Sequence, residues 1–379
     1  MSDEYRMRRH WPAAVLMAAV VAVALSACGS SGSGTSGGAG AESEAAAVTG
    51  EATNAKPGEI KPFCPEEPTK VAYIKAAGGT AWATIAKAEF EAEAAKCPNV
   101  EASFYNGTQG QQAAIAATNA AVAEGAKVIA VNSDYGAAEL PSMAAAVKSG
   151  AKVINTFNDI PEGQEGVDWT ANLVMDSQAI GETEAKWLAK NVQPGNVVFL
   201  GGPAGTPTSQ SQFEYFKKYL AQYAPKFKLV NPDNYIVTDW EAAKKRQAMA
   251  GLLAKYGEFA AVVTDYLGTD SGAVQAIEDA GVKMPAWAGI ASTNGWVCLA
   301  EKANIPWLSL DGSTEVPAAS MRIGLAQLEG KESPEPIPYK LTVYGDTPEG
   351  KVPKCEAAIS PEADLSGGLP PSKIKDVLK

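Results

Sequence analysis

Strand-like and helix-like segments alternate along this chain from Lys70 onward, in two successive series, and that alternation restricts the fold to an α/β architecture built on parallel sheets. In the first series, strands are predicted over Val71–Ile74, Glu101–Tyr105, Lys127–Val131 and Lys152–Thr156. The helices between them fall over Trp82–Ala95, Gln111–Glu124 and Glu139–Lys148, with Gly125 and Gly150 as stops. The pattern restarts with a strand at Asp168–Val174 and a helix at Ser177–Asn191. It continues through strands Asn196–Leu200, Leu229–Val237, Phe259–Thr264, Ala286–Ile290 and Ile305–Leu310, with helices Ser211–Tyr223, Glu241–Tyr256 and Ser271–Ala280. A late helix, Val316–Leu328, and a last strand, Tyr339–Tyr344, close it. Two doubly wound parallel-sheet lobes are the natural reading. Ligands of open α/β sheets bind beyond the carboxyl ends of the strands, so two such lobes facing each other would enclose a cleft there.

Ahead of these series, Arg6, Arg8 and Arg9 precede an apolar run from Trp11 to Leu25, the layout of a signal peptide over residues 1–27. The run falls short of the roughly 20 residues of a membrane span. It ends in Leu25-Ser26-Ala27-Cys28, which resembles the lipobox of a bacterial lipoprotein and implies cleavage before Cys28 and lipidation of its thiol. The alternative is a plain secretory signal with a chance cysteine. The Gly-, Ser- and Ala-rich stretch that follows reads as a flexible tether, so residues 28–64 are assigned to anchor and tether. The expected location is the outer face of the cytoplasmic membrane.

Export bears on the remaining cysteines, Cys64, Cys97, Cys298 and Cys355. An even count outside the cytoplasm suggests two disulfides. Cys64 lies just before the first strand and Cys97 just after the first helix, so both reach the same sheet edge. Cys298–Cys355 then remains, and free buried thiols are the alternative. With no CxxC spacing, a metal cluster is not expected. The only histidine, His10, lies in the leader, which excludes histidine-based catalysis from the processed chain. The formal net charge is −11, and only Arg246 and Arg322 remain beyond the leader, so nucleic acid is not an expected partner.

Three stretches carry a family resemblance: "GAKVIAVNSD" (125–134) with "AAVKSGAKVINTFND" (145–159), "VVFLGGPAGTPTSQSQFEYFKKYL" (197–220), and "AAVVTDYLGTDSGAVQAIEDAG" (260–281). In order and spacing they resemble the type I periplasmic binding proteins of the ribose- and galactose-binding kind. The resemblance implies two lobes joined by a three-stranded hinge, with crossings near Phe157–Pro161, Leu310–Gly312 and Tyr339–Val343. It divides the chain into an N-terminal lobe (65–158 plus 312–340), a C-terminal lobe (159–311 plus 341–365) and a tail (366–379). It also implies a monomer without cofactor or metal that hands a small ligand to an ABC permease.

Looking just past each strand end, the resemblance places Trp82 and Trp240 as stacking aromatics from opposite lobes, able to pack on the C–H face of a sugar ring. Their alternative is core burial. Asn132 is placed as a hydroxyl ligand, since an amide both donates and accepts. Asp134 is either a ligand or a helix N-cap. Asp265 with Tyr266, Asn294 and Asp311 complete the opposite side, with solvated loop acids as the alternative for the two carboxylates. Phe157-Asn158 and Gln210 stand where pentose binders carry arginine, so a charged clamp is missing. A neutral sugar, polyol or similar ring-shaped ligand is therefore expected, with a less polar aromatic metabolite as the alternative. Presentation of ligand to a membrane sensor competes with transport. A two-carboxylate glycosidase using Asp265 and Asp311 is the enzyme alternative, and it is disfavoured because such acids serve hydroxyl binding.

Overall fold

The computed structural model describes residues 55–76, 80–107 and 110–379. The expected signal peptide, the Cys28 anchor and most of the expected tether lie outside the described residues. The first lobe is built from β1 (Thr69–Lys75), α1 (Ala81–Ala94), β2 (Val100–Asn106), α2 (Gln111–Ala123), β3 (Val128–Asn132), α3 (Leu140–Lys148), β4 (Lys152–Phe157) and β5 (Ala171–Val174). Its sheet is wholly parallel, in the order β2-β1-β3-β4-β5. Helices cover both faces, which explains why Val71–Lys75 and the whole of β3 are continuously buried rather than alternating.

The second lobe holds α4 (Ser177–Asn191), β6 (Asn196–Gly201), α5 (Pro207–Tyr223), β7 (Lys228–Leu229), β8 (Ile236–Val237), α6 (Ala242–Tyr256), β9 (Ala261–Thr264), α7 (Ser271–Ala280), β10 (Ala286–Ile290), α8 (Asn294–Ala303) and β11 (Trp307–Leu310). The chain then returns to the first lobe as α9 (Val316–Leu328), which packs on α1, β3 and β4. It crosses back as β12 (Val343–Asp346), the antiparallel edge of a sheet ordered β12-β11-β10-β9-β6-β7, with β8 beside β6. It ends in α10 (Pro371–Val377).

The α/β class and the two lobes agree with expectation, and five local readings do not. Ala171–Val174, expected to open the second lobe, pairs in parallel with β4 and completes the first sheet. The first crossing therefore falls after Val174, where Asp176 N–H donates to Tyr339 O, and not at Phe157–Pro161. Asp176 also caps α4 by accepting from Ala179 N–H. The other two crossings stand where expected, with Asp311 N–H bonded to Thr342 O. The single strand expected over Leu229–Val237 is two short strands, β7 and β8, separated by the turn at Asn231–Asn234. The assigned tether ends early: Ile60 and Phe63 are buried in the first-lobe core, and Gly58 N–H donates to Glu335. Finally, residues 366–379, expected as a tail outside the lobes, dock on the first lobe, because Ile374 of α10 is buried against Ile85 of α1.

Both disulfides form as paired from the sequence, Cys64–Cys97 and Cys298–Cys355. Replacing Cys64 and Cys97 together by Ser should lower stability by about 2–4 kcal/mol. A urea melt with an unshifted midpoint would refute this.

The two arginines beyond the leader are accounted for away from the cleft. Arg322 is buried between Glu93 and Glu335, tying α9 to α1, and Arg246 pairs with Asp279 on the surface.

Candidate functional site

In each lobe the sheet reverses its winding at one point, between β1 and β3 in the first and between β6 and β9 in the second. At such points neighbouring crossovers diverge to opposite faces and leave a crevice beyond the strand ends. In the first lobe that crevice is lined by Lys75, the last residue of β1, and Asn132, the last of β3. Lys75 Nζ forms an ion pair with Asp134, and both side chains are buried. Asn132 Nδ2 donates to Asp134 Oδ1 over 3.4 Å, and Asn158 Nδ2 donates to the same oxygen over 3.1 Å. Asp134 thus gathers the first-lobe polar groups. The N-cap alternative is not realised, since the turn that follows starts at Tyr135 and lacks a side-chain cap.

In the second lobe Asp265, just past β9, plays the corresponding part. It accepts from Trp240 Nε1 over 3.0 Å, from Gly202 N–H over 3.3 Å, and from Ser209 Oγ. Burial raises its pKa above the ordinary carboxylate value, opposed by Ser209, Lys245 and Trp240. Glu184, fully buried on α4, is raised well above its ordinary value by burial and by the charge of Asp265. Behind this floor Lys245 is buried with Asp270 at 2.7 Å and donates to Thr264 Oγ1 and Tyr266 O. The two groups meet across the cleft: Thr208 Oγ1 donates to Asn158 Oδ1, and a Cβ on Gly136 would press on Pro207.

Trp82 lies at the rim of the first lobe, 8% exposed. It donates Nε1 to Gly312 O over 2.6 Å, and its ring meets Phe157 edge-on at 5.3 Å. It is thus more a core and hinge residue than a free stacking platform. Trp240 is half-buried, with its ring over Gly202, where a Cβ would overlap it. Phe157 and Trp240 both hold positive φ, 77° and 54°. That conformation costs a non-glycine residue about 1–2 kcal/mol, and such strain collects at ligand-handling sites.

The structure thus brings together Trp82, Asn132, Asp134, Phe157, Asn158, Trp240 and Asp265, with Tyr266 half-buried beside them. Three expected site residues point elsewhere. Gln210 is exposed and donates to Glu214, because α5 begins at Pro207 and its helical turn sends Thr208 and Ser209 inward and Gln210 out. Asn294 starts α8 and binds the backbone of Glu356 and Ile359. Asp311 is a hinge fastener, accepting from the N–H and hydroxyl of Thr342 and from Ser313 N–H. Lys75, Thr208 and Ser209 escaped the sequence reading. Only Lys75 carried a signal, as a charged residue closing a run of buried ones. Among the described residues no cluster of three or more Cys, Asp or Glu side chains could hold a metal ion. No described helix is long and apolar enough to cross a membrane.

The family model for the periplasmic binding protein domain matches residues 71–332, leaving the segment from 333 onward outside it. No curated protein matches the chain. Among solved structures, the periplasmic binding protein component of the arabinose ABC transporter from Shewanella sp. ANA-3, bound to arabinofuranose, superposes with a TM-score of 0.63 at 19% identity, covering 73% of this chain and 90% of that one. A Bacillus halodurans C-125 ABC transporter solute-binding protein with bound myo-inositol gives 0.64 at 18% identity, covering 76% and 98%. The fructose-binding periplasmic domain of a hybrid two-component system gives 0.63 at 19% identity, covering 73% and 90%. At these identities the likeness establishes the fold.

Proposed function

The chain belongs to the periplasmic binding protein domain family, and from that premise we propose that it captures a neutral sugar, polyol or similar ring-shaped molecule between its lobes. Its role would be delivery to an ABC permease, with Cys28 as a lipid anchor holding it outside the cytoplasmic membrane. The family is one of binding proteins and not of enzymes, and the buried carboxylates serve as hydroxyl acceptors.

The observation that carries the ligand class is the charge state of the two facing clusters. Lys75 is matched by Asp134, and Asp265 is surrounded by neutral donors, so neither wall offers an unmatched cation to an anionic ligand. Hydroxyl groups suit both walls, since each can donate to a carboxylate and accept from an amide or ammonium. Closure of the lobes about the hinge would then remove the ligand from water. The absence of an arginine clamp agrees with this, though Lys75 makes the cleft more polar than its aromatic residues alone suggested.

A thermal-shift screen over neutral sugars, polyols and aromatic metabolites tests the proposal. A ligand at 100 times its Kd adds about 2.7 kcal/mol of stability, and Asp265→Asn should abolish the shift. Stabilisation by sugar acids or phosphates alone would overturn it. For the anchor, Cys28→Ser should release the protein from membranes, and retention would refute lipidation. Presentation to a membrane sensor is the second reading, favoured by the two-component relative, and deletion of the partner permease would separate it from transport.

A further inference from the structure

Beyond β12 the chain leaves the second lobe and ends on the first. Its start is pinned to α8 by the Cys298–Cys355 disulfide and by Asn294, which holds the backbone of Glu356 and Ile359. Asn294 N–H then donates to Ala363 O and Gly295 N–H to Pro361 O. At the hinge Gly312 N–H donates to Ser366 Oγ over 2.7 Å, and Asp364, buried, accepts from Ser366. On the first lobe Leu369 N–H donates to Glu89 Oε1 of α1 over 3.1 Å, and Ile374 is buried with Ile85. Three glycines make room along this path. A Cβ on Gly295 would strike Pro361, one on Gly312 the Asp364 carboxylate, and one on Gly367 Thr314 and Glu89. A loosely attached tail would require no such accommodation.

We propose that residues 356–378 form a strap, a fourth link between the lobes that must leave α1 before the cleft can open. The strap also acts as a positioning element: it holds Gly312, whose carbonyl receives the indole N–H of Trp82. Opening the lobes about three crossings near one axis is a soft motion. A further stretch docked on α8 of the second lobe and on α1 of the first adds contacts that opening must break, so the strap raises the cost of opening and slows exchange of the cleft contents. The consequence for ligand rests on the cleft-binding reading, whereas the mechanical claim does not.

The seat is also acidic. Burial raises Glu89 to about 7, with Glu315 adding to the rise and Thr314 and the Leu369 and Gly368 N–H groups opposing it. Burial raises Asp364 to about 6, with Asp311 adding and Ser366 opposing. The charge of Asp364 is felt in turn by Tyr266.

The test uses the ligand-free protein, so a negative sugar screen leaves it unaffected. A chain truncated after Ser366, and the point variant Gly367→Ala, are compared with the full chain by small-angle scattering and amide exchange. Both variants should scatter as larger particles. Exchange at 132–136 and 207–209, where the lobes meet, should quicken about fivefold or more, the factor by which losing one net hydrogen bond shifts an opening equilibrium. Amides of β3 and β9 should stay protected. Unchanged scattering and exchange in both folded variants would overturn the proposal. If the truncated chain loses protection in its strands, Gly367→Ala alone decides.

Discussion

Trp82→Ala should destabilise the protein by about 3–5 kcal/mol, the usual range for removing a buried tryptophan. The ring is 8% exposed and belongs to the cluster that joins α1, β1 and α9. Its loss would also orphan Gly312 O, a carbonyl at the second hinge crossing, and remove the edge that supports the strained Phe157. Trp82→Phe separates these effects, since it keeps most of the packing and removes the indole donor. Binding of whichever ligand the screen identifies should weaken in both variants, and more in Ala. Urea melts provide the stabilities and calorimetry the affinities. A stability loss below about 1 kcal/mol for Trp82→Ala would mean that the ring stands free in the cleft as a stacking surface, as the family resemblance implies.

Lys245→Met should cost about 3–5 kcal/mol, because it leaves Asp270 as a buried charge without its partner. Neither side chain of the pair is exposed. Burial already raises Asp270 to about 6 from an ordinary 3.8, with Lys245 pulling it down, so removing the ammonium pushes it further up. The sign follows. A carboxyl with a raised folded pKa destabilises the fold as pH rises through that value. The defect of Lys245→Met should therefore be greatest at neutral pH and above, and shrink under acid. The double variant Lys245→Met with Asp270→Asn should regain much of the loss. The cleft would register the change too, since Lys245 holds Tyr266 O and its charge lowers the pKa of Asp265. A neutral outcome for Lys245→Met at pH 8 would show that Asp270 is solvated in the native state.

Local patterns in the sequence went far because parallel strands buried on both faces must read as apolar runs, and the helices between them as amphipathic ones. Those runs located β1, β3, β6, β9 and β10, and with them the strand ends that carry Asn132 and Asp265. Where elements are short or lack such a signature, the reading failed. α8 begins in the polar stretch Ser292–Asn294 and has no counterpart among the expected helices, although Thr293 caps it by accepting from Trp296 N–H. α10 begins at Pro371, directly after Pro370, and depends on one buried residue, Ile374, whose partner Ile85 lies far back in the chain.

The sequence by itself determined the α/β class and the strand ends where a cleft could form, because these depend on local periodicity and on residue type. Which lobe β5 joins, where Gln210 and Asn294 point, that Lys75 faces Asp134, and that the last residues bind the first lobe were decided only by the tertiary structure. Each of these depends on contacts between residues distant in the chain, or on the rotation of a helix about its axis. Pattern along the sequence does not encode either one, and packing selects it only when distant segments come together.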